Sequence, residues 1–179
     1  MKTSQIQVEG NEYFALDQSW GFDRLPDYHR ENLHFLQLMS ADYPDIANWY
    51  LNKVMPELRS GTRKVIQIRQ NDTLVAIGIG KKTSSETKVC TVRVAPEYVG
   101  RGFGRKIFDN LIEWLDVDRP FITVGESKSQ CFEKIFSDYG FLLTSARNGF
   151  YVPNRVELFF NEPMALSRWH GADESSNKR

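Results

Sequence analysis

Gly100-Arg101-Gly102-Phe103-Gly104 sets three glycines at alternate positions, shortly after Pro96 and directly ahead of an apolar stripe. Glycines let a backbone come close to a ligand and take positive φ. A helix N-terminus adds unpaired N–H groups and a partial positive charge. Together they suit a pyrophosphate, with Arg101 and Arg105 as charges at the rim. Two familiar nucleotide loops do not fit. A Walker loop needs Gly-Lys followed by Ser or Thr, and here Gly104 is followed by Arg105-Lys106. A dinucleotide fingerprint needs GxGxxG and an acid ending the next strand about 20 residues on. This loop is GxGxG, and the next apolar run ends Thr123-Val124-Gly125.

Other reactive residues offer less. Cys90 and Cys131 lie in apolar runs without CxxC spacing, and read as buried free thiols of a reducing compartment. No basic residue is placed to activate Cys131 as a nucleophile. His29, His34 and His170 have no second ligand at metal spacing, so no metal is expected. Glu97 and Tyr98 read as a solvated acid and a packing aromatic.

The elements that position the loop follow from periodicity. A helix is expected from about Asp27 to Met39, with Leu33, Leu36 and Met39 on one face. A second, capped by Asp42 and with Pro44 in its first turn, carries Ile46, Tyr50 and Val54. Lys64 to Arg69 and Leu74 to Ile79 read as a hairpin turned by Asn71-Asp72, which both tolerate left-handed backbone. Lys88 to Val94 is a third strand, with Cys90, Val92 and Val94 on one face and Pro96 ending it. Phe103 to Leu115 repeats Ile107, Leu111 and Leu115 at helical spacing, widened by Phe108 and Ile112. Pro120 to Val124 is a short buried strand. Ser127 with Gln130 opens a helix that buries Cys131, Phe132, Ile135, Phe136 and Tyr139, closed by Gly140. Phe141 to Thr144 and Arg155 to Phe160 are the last strands. The result is a mixed α/β sheet with helices on both faces.

A chain of 179 residues, 41% hydrophobic, fits one globular domain. Residues 1–25 read as an extension with a short first strand between Tyr13 and Leu16, 26–170 as the domain, and 171–179 as a polar, disordered tail. The aromatics Tyr13, Phe14, Trp20, Phe22 and Tyr28 either line an acceptor groove or cover the sheet. The 23 basic and 23 acidic residues cancel, and no basic stripe appears, which argues against nucleic acid as a partner. No apolar run approaches the ~20 residues of a membrane span. The start lacks the apolar stretch of a signal peptide, so a cytoplasmic protein is expected.

Val92-Arg93-Val94-Ala95-Pro96 followed by Gly100-Arg101-Gly102-Phe103-Gly104 closely resembles the signature of the GCN5-related N-acetyltransferases (GNAT): apolar strand, Pro, then Arg/Gln-x-x-Gly-x-Gly/Ala. The resemblance covers roughly 65–160. It implies a mostly antiparallel central sheet and acetyl-CoA as co-substrate. It also implies that the backbone of Val92 and Val94 meets the acyl and pantetheine portion, and that the amides of Val99, Gly100, Arg101, Gly102, Phe103 and Gly104 hold the pyrophosphate, with Arg105 beside them. Ser137-Asp138-Tyr139-Gly140-Phe141 looks like the family's closing helix-to-strand corner.

The chain departs from that pattern in three places. Val99 stands where Arg or Gln is usual. Ser129 stands where an Asn often contacts the cofactor. Phe136 stands where many members carry a Tyr whose hydroxyl is thought to protonate the departing thiolate. Without it the proton donor is a water, Ser127, or Tyr139 one turn on, although Tyr139 continues the stripe of Ile135 and Phe136 and reads first as a core residue. Glu126 is the first candidate for the base that neutralises the amine, since it follows a strand that by resemblance splays to admit the acyl group. It reads equally as a first-turn acid favouring the helix dipole. The activity expected is acetyl transfer to a primary amine on a small molecule or peptide, with a homodimer as a candidate assembly. The alternative is a catalytically silent acyl-CoA-binding sensor or docking module. Acetylation of aminoacyl-tRNA, as in toxins that resemble this fold, is disfavoured by the zero net charge.

Overall fold

The computed structural model describes residues 5–8 and 25–163. The expected strand between Tyr13 and Leu16, the aromatics from Tyr13 to Phe22 and the tail 171–179 lie outside the described residues. The chain divides into two compact units, Met1–Val117 and Asp118–Arg179.

The first unit begins with β1 (Gln5–Val8), a strand the sequence pattern did not signal. Then come α1 (Asp27–Gln37), α2 (Ile46–Trp49), a π-helical turn (Tyr50–Val54) and α3 (Met55–Arg59). The helix pair is as expected, but its second start is not. Asp45, not Asp42, occupies the cap position, and Pro44 precedes the helix. The wide π turn has a local cause. Pro56 has no N–H to give back along the helix, and its ring crowds the carbonyl four residues earlier. Tyr50 is fully buried there. Its hydroxyl meets His29 Nδ1 at 3.0 Å and accepts from Asn32 Nδ2 at 3.0 Å, while Gln67 Nε2 donates to Asn32 Oδ1 at 2.6 Å. This buried polar chain ties α1 to the π turn and the sheet.

Strands β2 (Arg63–Gln70), β3 (Thr73–Lys82) and β4 (Thr87–Val94) continue β1 as an antiparallel meander. Asn71 and Asp72 take φ of 48° and 63°, which gives the hairpin the tight turn whose twist matches its strands. The two faces of β3 are chemically distinct. Ile77 and Ile79 join Val65 in the core against α1 to α3. Gly78 and Gly80 face α4 (Phe103–Leu115) on the other side. A Cβ on Gly78 would stand 2.1 Å from Ile107 Cγ2, and one on Gly80 3.0 Å from Leu111 Cδ2. The glycines therefore admit α4 close to the sheet, where Phe103, Ile107, Phe108, Leu111 and Leu115 are buried. Each such side chain contributes about 1.5–3 kcal/mol by leaving water. Helices thus cover both faces.

The pairing of β3 with β4 slips between Ile79 and Gly80: Ile79 faces Thr91, Gly80 faces Val89, and Cys90 is the extra residue. This bulge corrects the expected face of Cys90. Its side chain packs with the α1–α3 core and not with Val92 and Val94, because a bulge breaks strict alternation. Arg63 donates to its sulfur at 3.1 Å, and burial pushes the thiol up from its usual range.

The second unit contains β5 (Phe121–Gly125), a 3₁₀ stretch (Glu126–Cys131), α5 (Glu133–Asp138), β6 (Leu143–Asn148) and β7 (Val156–Phe160). Here β7 pairs antiparallel with both β5 and β6. Three expectations change. The α-helix begins at Glu133, not at Ser127, and the Ser127–Gln130 box is absent because that segment winds as 3₁₀. Cys131 is exposed, since the tighter winding turns it off the apolar face. Gly140 closes α5 as expected, with φ of 65°; its N–H reaches the Ser137 carbonyl at 3.1 Å and that of Phe141 reaches Phe136 at 2.8 Å. The strand expected at Phe141 starts instead at Leu143.

Candidate active site

Strand β4 ends where the Ala95 N–H takes the Val75 carbonyl at 2.8 Å, and Pro96–Tyr98 then forms a 3₁₀ turn. Val99 is extended and largely exposed. Gly100 and Gly102 follow with φ of 80° and 83°, a left-handed backbone that costs a residue with Cβ roughly 1–2 kcal/mol. An added Cβ at either would meet no heavy atom of the described residues within 4 Å, so these residues leave open the space over the loop. Gly102 is also the cap residue of α4, and no side chain caps that end. Ser, Thr, Asp or Asn at this place would spend its oxygen on the first-turn amides. Glycine leaves them for an external acceptor.

Around this cradle the guanidinium of Arg101 lies 4.9 Å from the Tyr98 ring centre, and Tyr98 packs on Phe103 at 6.1 Å. The aromatic pair holds an exposed cation at the loop edge, and no acid among the described residues forms an ion pair with it. Gly104 and half-buried Arg105 lie in the first turn of α4. Val92 and Val94 pair with Gly78 and Ala76, so they project from the face that α4 covers. Val92, Val94 and residues 99–105, which the sequence grouped, thus form one continuous piece of a single unit.

Glu126, Ser129, Phe136 and Tyr139 belong to the second unit. Glu126 is exposed and opens the 3₁₀ stretch, and its carbonyl accepts from Ser129 Oγ at 2.8 Å. Phe136 is buried among rings, 5.6 Å from Phe132, 5.1 Å from Phe141 and 4.5 Å from Phe160. Tyr139 ends α5, half-buried, with its ring 6.0 Å from Phe141. One acid escaped the sequence reading. Glu157 is buried on β7 opposite Gly125, its Oε2 3.6 Å from where a Gly125 Cβ would stand. A signal existed in the lone acid of Val156-Glu157-Leu158-Phe159-Phe160. Arg93, also passed over, is the lone charge of Val92-Arg93-Val94.

The family model of the acetyltransferase (GNAT) family matches residues 25–119, more than half of the 179-residue chain. The chain belongs to the GNAT family. It is therefore an N-acetyltransferase by family, with acetyl-CoA as co-substrate, and its mixed α/β architecture is the GNAT fold. No curated protein matches it. Solved GNAT structures resemble it in fold at low identity. The ribosomal-protein-S18-alanine N-acetyltransferase of Escherichia coli is 15% identical, with 88% of this chain and 92% of that one covered at a TM-score of 0.59. A GNAT acetyltransferase from Bacillus cereus ATCC 10987 is 11% identical over 88% and 95%, also at 0.59. One from Elizabethkingia anophelis, solved with acetyl-CoA bound, is 12% identical over 88% and 95% at 0.53. Among the described residues no helix is long and apolar enough to cross a membrane.

Proposed function

We propose that this GNAT protein moves an acetyl group from acetyl-CoA to a primary amine, with residues 26–170 acting as one acyl-CoA-binding domain. The observation that carries the reading is Gly102 at φ 83°, an uncapped helix start facing open space. Pyrophosphate oxygens suit those amides and the Arg101 cation. Backbone groups of Val92 and Val94 polarise the thioester carbonyl and hold it for attack, so positioning and fixed dipoles supply most of the acceleration. A carboxylate takes the ammonium proton before attack. Glu126 serves in this reading, and the burial of Glu157 makes it the second candidate. Water protonates the leaving thiolate, which at a thiol pKa near ~8.5 needs help but not a dedicated acid.

A silent acyl-CoA-binding module is the second reading, favoured by Phe136, packed against the Phe141 and Phe160 rings, standing where the family's acid usually stands. One experiment separates them: thiol release from acetyl-CoA on addition of a panel of primary amines, beside the thermal shift with CoA alone. Release with at least one amine supports the enzyme. A shift of Tm with CoA but no release supports the module, and no shift at millimolar CoA rejects the loop assignment.

A further inference from the structure

Two arginines leave the first unit's sheet on the face that carries α1 to α3, and each lies over an aromatic ring. Arg63 sits 5.2 Å from the Trp49 ring centre and gives its Nε–H to Glu57 Oε2 at 2.7 Å. Arg93, opposite Ile77 on β3, sits 5.4 Å from the ring centre of Phe35. Both lie over a ring, but Arg63 has the Glu57 carboxylate and the Cys90 sulfur as hydrogen-bond acceptors. Arg93 Nε is buried and has no hydrogen-bond partner among the described residues. Such an orphan is costly and rare in native proteins.

The rest of Arg93's surroundings define what would complete it. Burial pushes its pKa down, while Asp42, from the turn after α1, and Glu97, from the turn after β4, hold it up. The group stays charged, yet its Nε lacks a hydrogen-bond partner among the described residues. The planar edge that carries Nε presents parallel donors matched to the two oxygens of a carboxylate. A dianionic phosphate would meet the charges of Asp42 and Glu97, whereas one carboxylate adds a single charge. The residue as a whole is half-buried while Nε itself is covered, so a carboxylate must displace part of that cover to reach it. Its neighbours in sequence, Val92 and Val94, are those assigned above to the acyl group. Arg93 leaves the opposite face of β4 from the Val92 and Val94 side chains, so an acceptor held by it must reach past the strand backbone to the thioester.

We propose that Arg93 recognises a carboxylate on the acyl acceptor, so that the acceptor is a small amine that also carries a carboxyl group. This rests on the acetyltransferase reading above and narrows its substrate class. The residue acts by holding the acceptor, and it takes no part in proton transfer.

The test uses matched amines that differ in the carboxylate: 4-aminobutyrate against n-butylamine, and lysine against cadaverine, each with acetyl-CoA and thiol release as readout. Wild type should favour the carboxylated member at least tenfold in kcat/KM. Arg93→Gln should bring that ratio near one by raising KM for carboxylated amines, with the plain amines unchanged, and Arg93→Lys should recover little, since an ammonium lacks the planar fork. A merely structural role would slow all four amines alike. Equal use of both members by wild type, or an unchanged preference in Arg93→Gln, overturns the proposal and leaves the acetyltransferase reading standing. A second measurement needs no turnover. The ¹⁵Nε–¹Hε resonance of Arg93, followed with CoA present, should shift and saturate with butyrate but not with n-butylamine. If no amine is acetylated, the acetyltransferase reading fails, and this resonance alone decides: no shift with butyrate overturns the carboxylate site.

Discussion

Gly78 determines how close α4, and with it the first-turn amides of the loop, can lie to the sheet. Replacing it with Ala puts a Cβ 2.1 Å from Ile107 Cγ2 and 3.2 Å from Leu111 Cδ1. Ile107 is fully buried and cannot swing away, so either its rotamer or α4 must move. Overpacking of this kind costs about 1–3 kcal/mol, partly offset by about 0.5 kcal/mol from the less flexible unfolded chain. Gly78→Ala should therefore lose about 1–2.5 kcal/mol in urea unfolding at unchanged m, and the thermal shift with CoA should shrink. Ile107→Ala alone should cost about 2–5 kcal/mol through the cavity it leaves. Ile107 Cβ would stand at 3.5 Å from the new methyl, an ordinary contact. The double variant should thus cost less than the sum of the singles by about 1 kcal/mol or more. The measurement is a double-mutant cycle from urea midpoints, with the CoA shift recorded for all four proteins. Strictly additive losses would refute the argument that this glycine exists to admit Ile107.

Gly102→Val should lose about 1–2 kcal/mol from its positive φ and abolish the thermal shift with CoA; a folded variant that binds CoA normally would show that the loop has been misread. Phe136→Tyr should leave the rate of thiol release equal or raised, and Tyr139→Phe should change it little, since water is the donor; collapse of release in folded Tyr139→Phe would make Tyr139 the acid. His29 is held down to about 4, first by burial and then by the charge of Arg59. Its folded pKa lies below the unfolded ~6.5, so the native state binds fewer protons and stability is lost as pH falls from about 6.5 toward 4. Solvent at the partly exposed ring screens part of this penalty, so about 1–2 kcal/mol is expected. The difference in unfolding free energy between wild type and His29→Gln should therefore narrow across that window, and a flat difference would contradict the lowered pKa.

The features legible in the sequence share one property: their signal is local. Helix α4 occupies the residues its apolar repeat marked, because a stripe at helical spacing needs only one flat surface to bury against. Asn71-Asp72 and Gly140 make the turns assigned to them, since positive φ is a demand on single residues. The loop at 100–104 was legible for the same reason: glycine spacing, the preceding strand and the following helix are contiguous in the chain. What the tertiary structure decided is non-local. Strand β1 is polar at alternate positions and exists because Gln5–Val8 pairs with Ile66–Arg69. The bulge that turns Cys90 away from Val92 depends on how β4 registers with β3. Cys131 reached solvent because the chain wound as 3₁₀ where a capping pattern suggested an α-helix. The unpaired Nε of Arg93 and the burial of Glu157 are set by which neighbours arrive from distant segments. A residue's type records what it can bond to, and only the packed chain decides which of those bonds it is denied.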